Sequence, residues 1–388
     1  MSTQFDILII GTGLAGYVTA MEIRKHRQEV SIALITESEG HFYSKPTLST
    51  GFKMGKTADD LITHTAQAMM DQYQLQVYTH ETVMDIDLEM QSVSTEMGQR
   101  YDYKQLVLAC GAVPLKLHQS IEGAQVAYAV NQWEDYAQLR AELSTQINQP
   151  IAIVGAGLVG VELACDLSSG GYPVTLIHAD AWPVNRLLPE PIGQALSQGL
   201  TTIGVSWKGP DQLRSCTPLD QGVELQLASG DTVRAACMIS AVGLAPRTQL
   251  AQSAGLAVKQ GIVTDAYLRT NHPNVYALGD CAEVANWSLG YVAPLRRCAQ
   301  ALAKTLSGEP TAVTYPAMPI VLKTPCCPTV VVPPSPHVKG AWHFEGSGLD
   351  RLGCFESPQG EVLGFALTGS YLRERAALLS KIPAWLPQ

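Results

Sequence analysis

The sequence carries little charge and has no long uninterrupted run of apolar residues. Charged residues make up 16% of its 388 positions, and Asp and Glu outnumber Lys and Arg by 35 to 26. The resulting net charge of −9 disfavours nucleic acid and anionic membrane surfaces as partners. The longest apolar stretch, residues 151–161, is shorter than the ~20 residues needed to cross a bilayer. We therefore expect neither nucleic-acid binding nor a membrane span.

The N-terminal segment and the cysteines also lack the features of a secreted protein. Residues 1–6 have no basic start and no long apolar run follows them, so no signal peptide is expected. The nine cysteines have no framework spacing, and none forms C-x-x-C or C-x₄-C. This usage favours a reducing cytoplasm, with buried structural cysteines that include the adjacent Cys326 and Cys327. No metal-ligand set is predicted.

The apolar content is high enough for well-packed cores. Hydrophobic residues make up 46% of the chain, with 33 Gly and 23 Pro that follow no repeat. A loop-rich α/β protein fits this composition better than a helical bundle, and the length predicts two or three domains.

The chain opens with a strand, a glycine-rich turn, a helix and a second strand. The strand covers residues 5–10, the turn is Gly-x-Gly-x-x-Gly at 11–16, the helix covers 14–25 and the next strand 30–35. The same unit recurs at residues 150–178, with its turn at 155–160. This pattern indicates an internal duplication of a βαβ unit.

Two apolar strands end alike, in Gly-x-x-Pro. One covers residues 106–114 and the other 238–247, on either side of the second glycine-rich turn. One nucleotide-binding domain is therefore predicted to be inserted into another.

Each glycine-rich turn follows a strand and opens a helix, which is the context that dinucleotide binding requires. The first glycine makes the turn, the second lets a pyrophosphate approach, and the third packs helix on strand. Glu37 lies about 20 residues after the first turn, where a carboxylate binds an adenosine ribose. Glu39 is the alternative.

The second turn has no acid at the equivalent place. His178 ends its strand, Asp180 follows in the loop, and the nearest arginine is Arg186. Without an adjacent arginine to hold a 2′-phosphate, NAD is favoured over NADP. Asp180 could take the ribose role.

The rest of the chain carries one more strand-end motif and a different tail. Gly279-Asp280 follows a strand at 274–278, and an amphipathic helix is predicted over 294–306. The tail is predicted to form five short antiparallel strands and a final helix, over residues 321–322, 329–332, 341–344, 352–355, 362–367 and 371–379.

Together these motifs resemble the two-dinucleotide-domain flavoprotein oxidoreductases. The resemblance implies FAD in the first unit and NAD in the inserted one, both Rossmann-like, with a small C-terminal α+β domain. The implied boundaries are residues 1–113 and 244–318 for the FAD domain, 114–243 for the NAD domain and 319–388 for the interface-type tail.

Within that family the chain resembles the electron-transfer branch rather than the disulfide reductases. It has no cysteine pair, and Thr50 stands where related peroxidases and oxidases have a single cysteine. The segments 43–46, 168–172, 278–283 and 323–325 are similar to those of rubredoxin reductases, which implies NADH oxidation and single-electron delivery to rubredoxin. Alkane hydroxylation and oxygen detoxification are both open as pathways.

The resemblance also implies the site residues. Lys45 is expected near flavin N5, Lys323 adds a second cation, and Glu162 faces the nicotinamide pocket. The helix near Pro294 is expected to point its N-terminus at the flavin. The cofactor-binding residues are then Gly11, Thr12, Gly13, Leu14, Ala15, Gly16, Glu37, Lys45, Val83, Gly155, Gly157, Leu158, Gly160, Glu162, Gly279, Asp280, Val292 and Lys323.

Two other functions are compatible with these motifs. One is a reductase for a ferredoxin or flavorubredoxin, and the other is a flavin-bound redox sensor without rapid turnover. Because rubredoxins are usually acidic and the chain is itself negative, docking is expected to need a local cationic or apolar patch near the flavin edge. The candidates are Lys53, Lys56, Arg296 and Arg297, since Lys45 and Lys323 are expected to serve the flavin.

Overall fold

The computed structural model describes residues 3–118, 121–146, 148–335 and 338–386. The outer limits expected for the first and last domains, residues 1 and 388, lie outside the described residues. Within the described residues, no helix is both long and apolar enough to cross a membrane.

Strands and α-helices are interspersed through the first three-quarters of the chain, and strands dominate the tail. The strands are β1 (Thr3–Ile10), β2 (Ile32–Ile35), β3 (Phe42–Tyr43), β4 (Ile62–His64), β5 (Gln76–Tyr78), β6 (Val83–Asp87), β7 (Ser92–Thr95), β8 (Arg100–Leu108), β9 (Ala112–Pro114), β10 (Ile151–Val154), β11 (Val174–Ile177), β12 (Ser206–Lys208), β13 (Leu213–Pro218), β14 (Val223–Leu227), β15 (Thr232–Ala235), β16 (Cys237–Ser240), β17 (Leu244–Pro246), β18 (Ile262–Thr264), β19 (Val275–Ala277), β20 (Ala282–Val284), β21 (Ile320–Leu322), β22 (Thr329–Val332), β23 (Ala341–Ser347), β24 (Asp350–Glu356) and β25 (Val362–Thr368). The α-helices are α1 (Leu14–His26), α2 (Ala66–Tyr73), α3 (Trp133–Ser144), α4 (Leu158–Ser169), α5 (Glu190–Thr202), α6 (Gln249–Ser253), α7 (Val292–Leu306) and α8 (Arg375–Leu379).

The first unit is built on a sheet in the order β5-β2-β1-β8-β7-β6, with β19 also paired to β8. Its central strands are parallel, and residues 7–10 of β1 are buried on both faces. A continuous apolar run is what a parallel strand covered on both sides requires. The sheet brings the C-terminal ends of β1, β2, β8 and β19 to one edge, where the first glycine-rich turn lies.

The second unit repeats this plan with the parallel order β12-β11-β10-β16. A three-stranded antiparallel sheet, β13-β14-β15, lies between β12 and β16 in the sequence. Strands β9 and β17 then pair with each other and align Pro114 with Leu244. The predicted α/β fold with two Rossmann-like units is confirmed.

The tail forms the antiparallel sheet β21-β22-β25-β24-β23. Its residues Leu322, Cys327, Val331 and Ala366 share one apolar core with α4 and α5 of the second unit. The five predicted strands are present. Strand β22 has the predicted bounds, β21 and β25 are longer by one residue, and β23 and β24 are longer by three.

Two predicted helices differ in detail. Helix α7 begins at Val292 rather than Pro294, because a proline fits anywhere in the first turn, where backbone N–H groups have no helical acceptor. The final helix is split into a 3₁₀ segment, Gly369–Glu374, and the short α8.

Candidate functional site

The first glycine-rich turn places an open helix N-terminus at the sheet edge. Gly11 has φ +109°, and its N–H donates to the Ile35 carbonyl at 2.8 Å. A Cβ on Gly13 would meet nothing within 4 Å, whereas one on Gly16 would strike the Gly11 carbonyl. The second glycine is therefore the one that faces open space, as close approach by a pyrophosphate requires. Gly13 also caps α1 without a side chain, which leaves the first-turn N–H groups free for a ligand.

A cleft of about 690 Å³ opens from this turn along the sheet edge. That volume is within the range of small-molecule sites. The predicted residues that line it are Gly11, Thr12, Gly13, Leu14, Glu37, Lys45 and Val83. Ala15, Gly16, Gly279, Asp280 and Val292 are not among its lining residues, although Gly279 packs on Ala15 and Asp280 contacts Lys45. The residues present fit an elongated dinucleotide.

Glu37 lies in the cleft, and one of its two carboxylate oxygens accepts a hydrogen bond from another residue. Its Oε1 accepts a hydrogen bond from Arg247 Nη1 at 2.6 Å. Glu39 instead pairs with His80 at 3.3 Å and does not line the cleft. The geometry therefore favours Glu37 over Glu39 as the ribose carboxylate. Arg247 was missed from the sequence, although it directly follows the second Gly-x-x-Pro.

Lys45 and Asp280 come together from distant parts of the chain. Lys45 begins a 3₁₀ segment, Lys45–Ser49, and its Nζ lies 3.8 Å from Asp280 Oδ2. Burial of this ammonium group lowers the pKa of Lys45, and the Asp280 carboxylate opposes that shift. Asp280 thus helps to hold a cation at the wall of the cleft.

Glu162 and Lys323 form a second pair at the other end of the 3₁₀ segment. The Lys323 ammonium contacts the Glu162 carboxylate, and the backbone N–H of Lys323 donates to Glu162 Oε1 at 3.1 Å. Ser49 Oγ donates to Glu162 Oε2 at 2.7 Å and lies 2.6 Å from Lys323 Nζ, which also donates to the Pro46 carbonyl. This network joins the 45–49 segment, α4 and the tail. Ser49 was not singled out from the sequence.

The second glycine-rich turn matches the first. Gly155 has φ +104°, and its N–H donates to the Ile177 carbonyl at 2.8 Å. A Cβ on Gly157 would meet nothing within 4 Å, and one on Gly160 would strike the Gly155 carbonyl. Leu158 is the first residue of α4, so this turn too presents free N–H groups at a helix N-terminus.

His178 is tied to this turn by its ring. Its Nδ1 accepts the Ala156 N–H at 3.2 Å, while Nε2 lies 3.3 Å from Asn185 Oδ1 and 3.5 Å from Asp180 Oδ2. Burial lowers the pKa of His178, and the Arg186 charge adds to that shift.

All nine cysteines are free thiols. Thr50 donates its hydroxyl to the Thr47 carbonyl at 3.0 Å. Two thiols far apart in sequence nevertheless meet, since Cys165 Sγ lies 3.4 Å from Cys326 Sγ. Cys327 is buried as predicted, but Cys326 is partly exposed. Cysteine spacing gave no signal for the Cys165–Cys326 contact.

Similarity to known proteins covers nearly the whole chain. Residues 5–303 match the family described as pyridine nucleotide-disulphide oxidoreductase, and residues 312–382 match a rubredoxin binding C-terminal domain. The chain is 40% identical to a rubredoxin-NAD(+) reductase of Alcanivorax borkumensis, over 98% of this chain and 99% of the relative. It is 36% identical to one of Acinetobacter baylyi, over 98% of each chain.

A solved structure shares the fold. The crystal structure of NADH:rubredoxin oxidoreductase from Clostridium acetobutylicum superposes with a TM-score of 0.82 at 20% identity, covering 98% of this chain and 95% of that one. The two glycine-rich turns, the paired Gly-x-x-Pro strands and these similarities lead to one assignment. The chain belongs to the pyridine nucleotide-disulphide oxidoreductase family, in the branch that carries a rubredoxin-binding C-terminal domain.

Proposed function

We propose that this protein is an FAD enzyme that oxidises NADH and passes the electrons one at a time to rubredoxin. The observation that carries the proposal is the position of Lys323. It belongs to the segment that matches the rubredoxin-binding domain, and its side chain reaches Glu162 and Ser49 beside the dinucleotide units. This contact supports a direct contribution of the acceptor-binding segment to the redox site.

Bound FAD supplies the step that the protein's own side chains cannot perform, the conversion of a two-electron hydride donor into single electrons. The residues of the first turn, Gly11 to Gly16, are assigned to the FAD pyrophosphate. Glu37 is assigned to the adenosine ribose through the oxygen that Arg247 leaves free, and the backbone at Val83 to the adenine. Gly279, Asp280 and the start of α7 at Val292 are assigned to the flavin end.

NADH is assigned to the second turn, with Gly155, Gly157, Leu158 and Gly160 at its pyrophosphate. Glu162 lies two residues further along α4, and we assign it to the nicotinamide end. Lys323 is a positioning residue in this scheme, because it acts through the Glu162 carboxylate. Lys45, held by Asp280, is the cation assigned next to flavin N5.

We also propose the domain boundaries expected from the sequence, with residues 114–243 inserted between the two halves of the FAD domain and the tail starting at 319. The pairing of β9 with β17 supports them, because the chain leaves and re-enters at adjacent positions.

An acceptor panel tests the function. Purified protein is mixed with NADH and with rubredoxin, a ferredoxin or a flavorubredoxin, and acceptor reduction is timed. Rubredoxin is expected to be the fastest acceptor. Faster reduction of one of the others would transfer the assignment to that acceptor, and no rapid bleaching of the flavin band by NADH would favour a redox sensor.

For the pathway and location we propose alkane degradation in the cytoplasm, with oxygen detoxification as the alternative pathway. The lack of framework spacing among the nine cysteines supports a reducing compartment. The genes adjacent to this one test the pathway, since an alkane hydroxylase or an oxygen-reducing flavoprotein would be encoded there.

We expect kcat/KM to favour NADH over NADPH, and Asp180→Ala to lower kcat/KM for NADH by about tenfold, the size of one hydrogen bond to a charged group. Asp180 is exposed beside His178, where a ribose would meet it. Asp220→Ala, in an exposed turn of the antiparallel sheet, removes the same charge as a control. An unchanged kcat/KM for NADH in Asp180→Ala would contradict the ribose role of Asp180, and a preference for NADPH that Arg186→Ala abolishes would contradict the NADH assignment.

Charge reversal at Arg296 or Arg297 is expected to slow rubredoxin reduction about tenfold at low salt, with flavin reduction by NADH unchanged. Both side chains are exposed near the start of α7, and within the described ranges neither forms an ion pair. Lys45 and Lys323 are each held by a carboxylate, which leaves these arginines, Lys53 and Lys56 for an acidic partner. Rim charges act mainly on association rate and are screened by salt.

Stopped-flow timing separates the two half-reactions of that experiment. Arg214→Glu, on the exposed face of β13, carries the same charge change as a control. If both reversals behave like Arg214→Glu at every ionic strength, the docking surface lies elsewhere.

A further inference from the structure

The thiols of Cys165 and Cys326 meet directly beside the Glu162–Lys323 pair. Cys165 lies three residues after Glu162 on α4, and Cys326 lies three residues after Lys323 in the tail. Their sulfur atoms are 3.4 Å apart, within hydrogen-bond distance for two thiols. Helix α4 and the tail are therefore joined twice, by the Glu162–Lys323 ion pair and, three residues further along each segment, by the thiol–thiol contact.

The surrounding packing holds these two sulfurs in place. The loop that carries Cys326 is closed by a hydrogen bond from the Cys327 N–H to the Thr324 carbonyl at 2.9 Å. It sits tightly on α5, where a Cβ at Gly199 would lie 2.6 Å from Cys327 Cβ and 3.0 Å from the Cys326 carbonyl oxygen. The two thiols thus lie on elements that are packed against a common core, and they remain neighbours without a covalent bond.

The pair is also open to a small reagent. Cys165 and the neighbouring Pro325 line a cleft of about 410 Å³, and Cys326 is partly exposed. The hydrogen bond from Cys165 lowers the pKa of the Cys326 thiol, which favours its thiolate as the attacking group. The neighbouring Cys327 is buried and contacts the Thr329 hydroxyl instead.

We propose that Cys165 and Cys326 are a site of reversible oxidation, forming a disulfide that cross-links α4 to the C-terminal segment when the protein meets a small-molecule disulfide. The Cys326 thiolate attacks one sulfur of the oxidant, which gives a mixed disulfide and releases one thiolate. The Cys165 sulfur then attacks Cys326 Sγ and displaces the second thiol. The protein loses two electrons and two protons, and the oxidant becomes two thiols.

This disulfide is separate from the flavin-based electron path. Turnover in the reduced protein uses neither thiol, so Cys165→Ser and Cys326→Ser are expected to retain NADH–rubredoxin activity. The cross-link prevents the tail from separating from α4, because the segment that supplies Lys323 becomes covalently bound to the helix that supplies Glu162.

Dithiodipyridine, a small disulfide that releases a coloured thiol at each attack, provides the test. The native holoenzyme is expected to release two equivalents in a fast phase and to keep no pyridylthio group. A non-reducing peptide map should then contain the Cys165 peptide linked to the Cys326 peptide, lighter by two hydrogen atoms, and reductant should reverse it. A cross-link over so long a loop is also expected to raise the thermal unfolding midpoint by at least about 5 °C.

The variants make the outcome decisive. Cys327→Ser is the matched control and should still form the cross-link, whereas Cys165→Ser and Cys326→Ser should each stop at a retained pyridylthio adduct or not react. A peptide map that shows Cys326 linked to Cys327, or no linkage of Cys165, would overturn the proposal.

Discussion

Replacing Gly155 by alanine is expected to abolish reduction by NADH while FAD stays bound. Gly155 has φ +104°, a conformation that costs an L-residue about 1–3 kcal/mol. Its new Cβ would also lie 2.6 Å from the Ala241 carbonyl carbon and 2.9 Å from the Val242 nitrogen. Because both are backbone atoms in the neighbouring strand end, the turn must move, and a pyrophosphate held by it would be misplaced. A loss of at least about 10²-fold in the rate of NADH reduction is expected.

Gly11→Ala is expected to have the opposite effect from Gly155→Ala, because it should cause loss of bound FAD. Gly11 has φ +109°, and a Cβ there would meet the backbone of Ala109. Gly98→Ala is a matched control, since Gly98 has φ +74° and open space around its Cβ. Flavin absorbance per protein and anaerobic mixing with NADH measure the two effects, with circular dichroism to check folding. If Gly155→Ala lost FAD, or Gly11→Ala kept it, the assignment of the two turns would be wrong.

Lys323→Met is expected to slow flavin reduction by NADH about 10²-fold without loss of FAD. The substitution removes the cation beside Glu162, whose side chain is only 11% exposed, and the bonds from Nζ to Ser49 and Pro46. The Ser49 hydroxyl and the Lys323 N–H still donate to Glu162, so the carboxylate stays in place less tightly. Misplacement of a group by about 1 Å can cost this much rate.

Three variants distinguish positioning from a general effect on the fold. Lys53→Met changes an exposed lysine that lines the same cleft as Lys323, and it should leave the NADH step unchanged. Lys323→Arg should restore part of the rate. Combining Lys323→Met with Glu162→Gln should cost less than the two changes added together, because both act on one contact. If the rate losses of Lys323→Met and Glu162→Gln were strictly additive, or if Lys53→Met slowed the NADH step as much as Lys323→Met does, Lys323 would not be a positioning residue.

The sequence predicted those parts of the site that depend on short-range pattern. The glycine-rich turns and their strands were predicted because sterics restrict these turns to glycine and burial restricts the strands to apolar residues. The apolar face predicted for α7 is confirmed, with Leu295, Cys298 and Leu302 all buried. Lys45, Glu162 and Lys323 were each named through the family resemblance, but their contacts with Asp280, Ser49 and each other were not.

What the sequence could not predict are contacts between residues far apart in the chain. Arg247 contacts Glu37 across a separation of 210 residues, and Cys165 contacts Cys326 across 161 residues. No spacing rule connects such positions. The Arg247–Glu37 distance depends on how the segments before and after the second unit fold together, and the Cys165–Cys326 distance depends on how the second unit packs on the tail. Spacing motifs identify a thiol pair only when the two cysteines are close in sequence.

The antiparallel ribbon of β9 and β17 has a consequence for how such a chain can arise. Pro114 is aligned with Leu244, so the whole second unit connects β9 to β17 in the way that a long loop connects the two strands of a hairpin. An insertion whose ends already touch imposes little loop-closure entropy on its host, and it leaves the neighbouring strands in register. Domain insertion is tolerated where termini lie close together at a surface. A gene duplication could therefore have placed one copy inside the other in a single recombination, with the ribbon as the covalent junction between them.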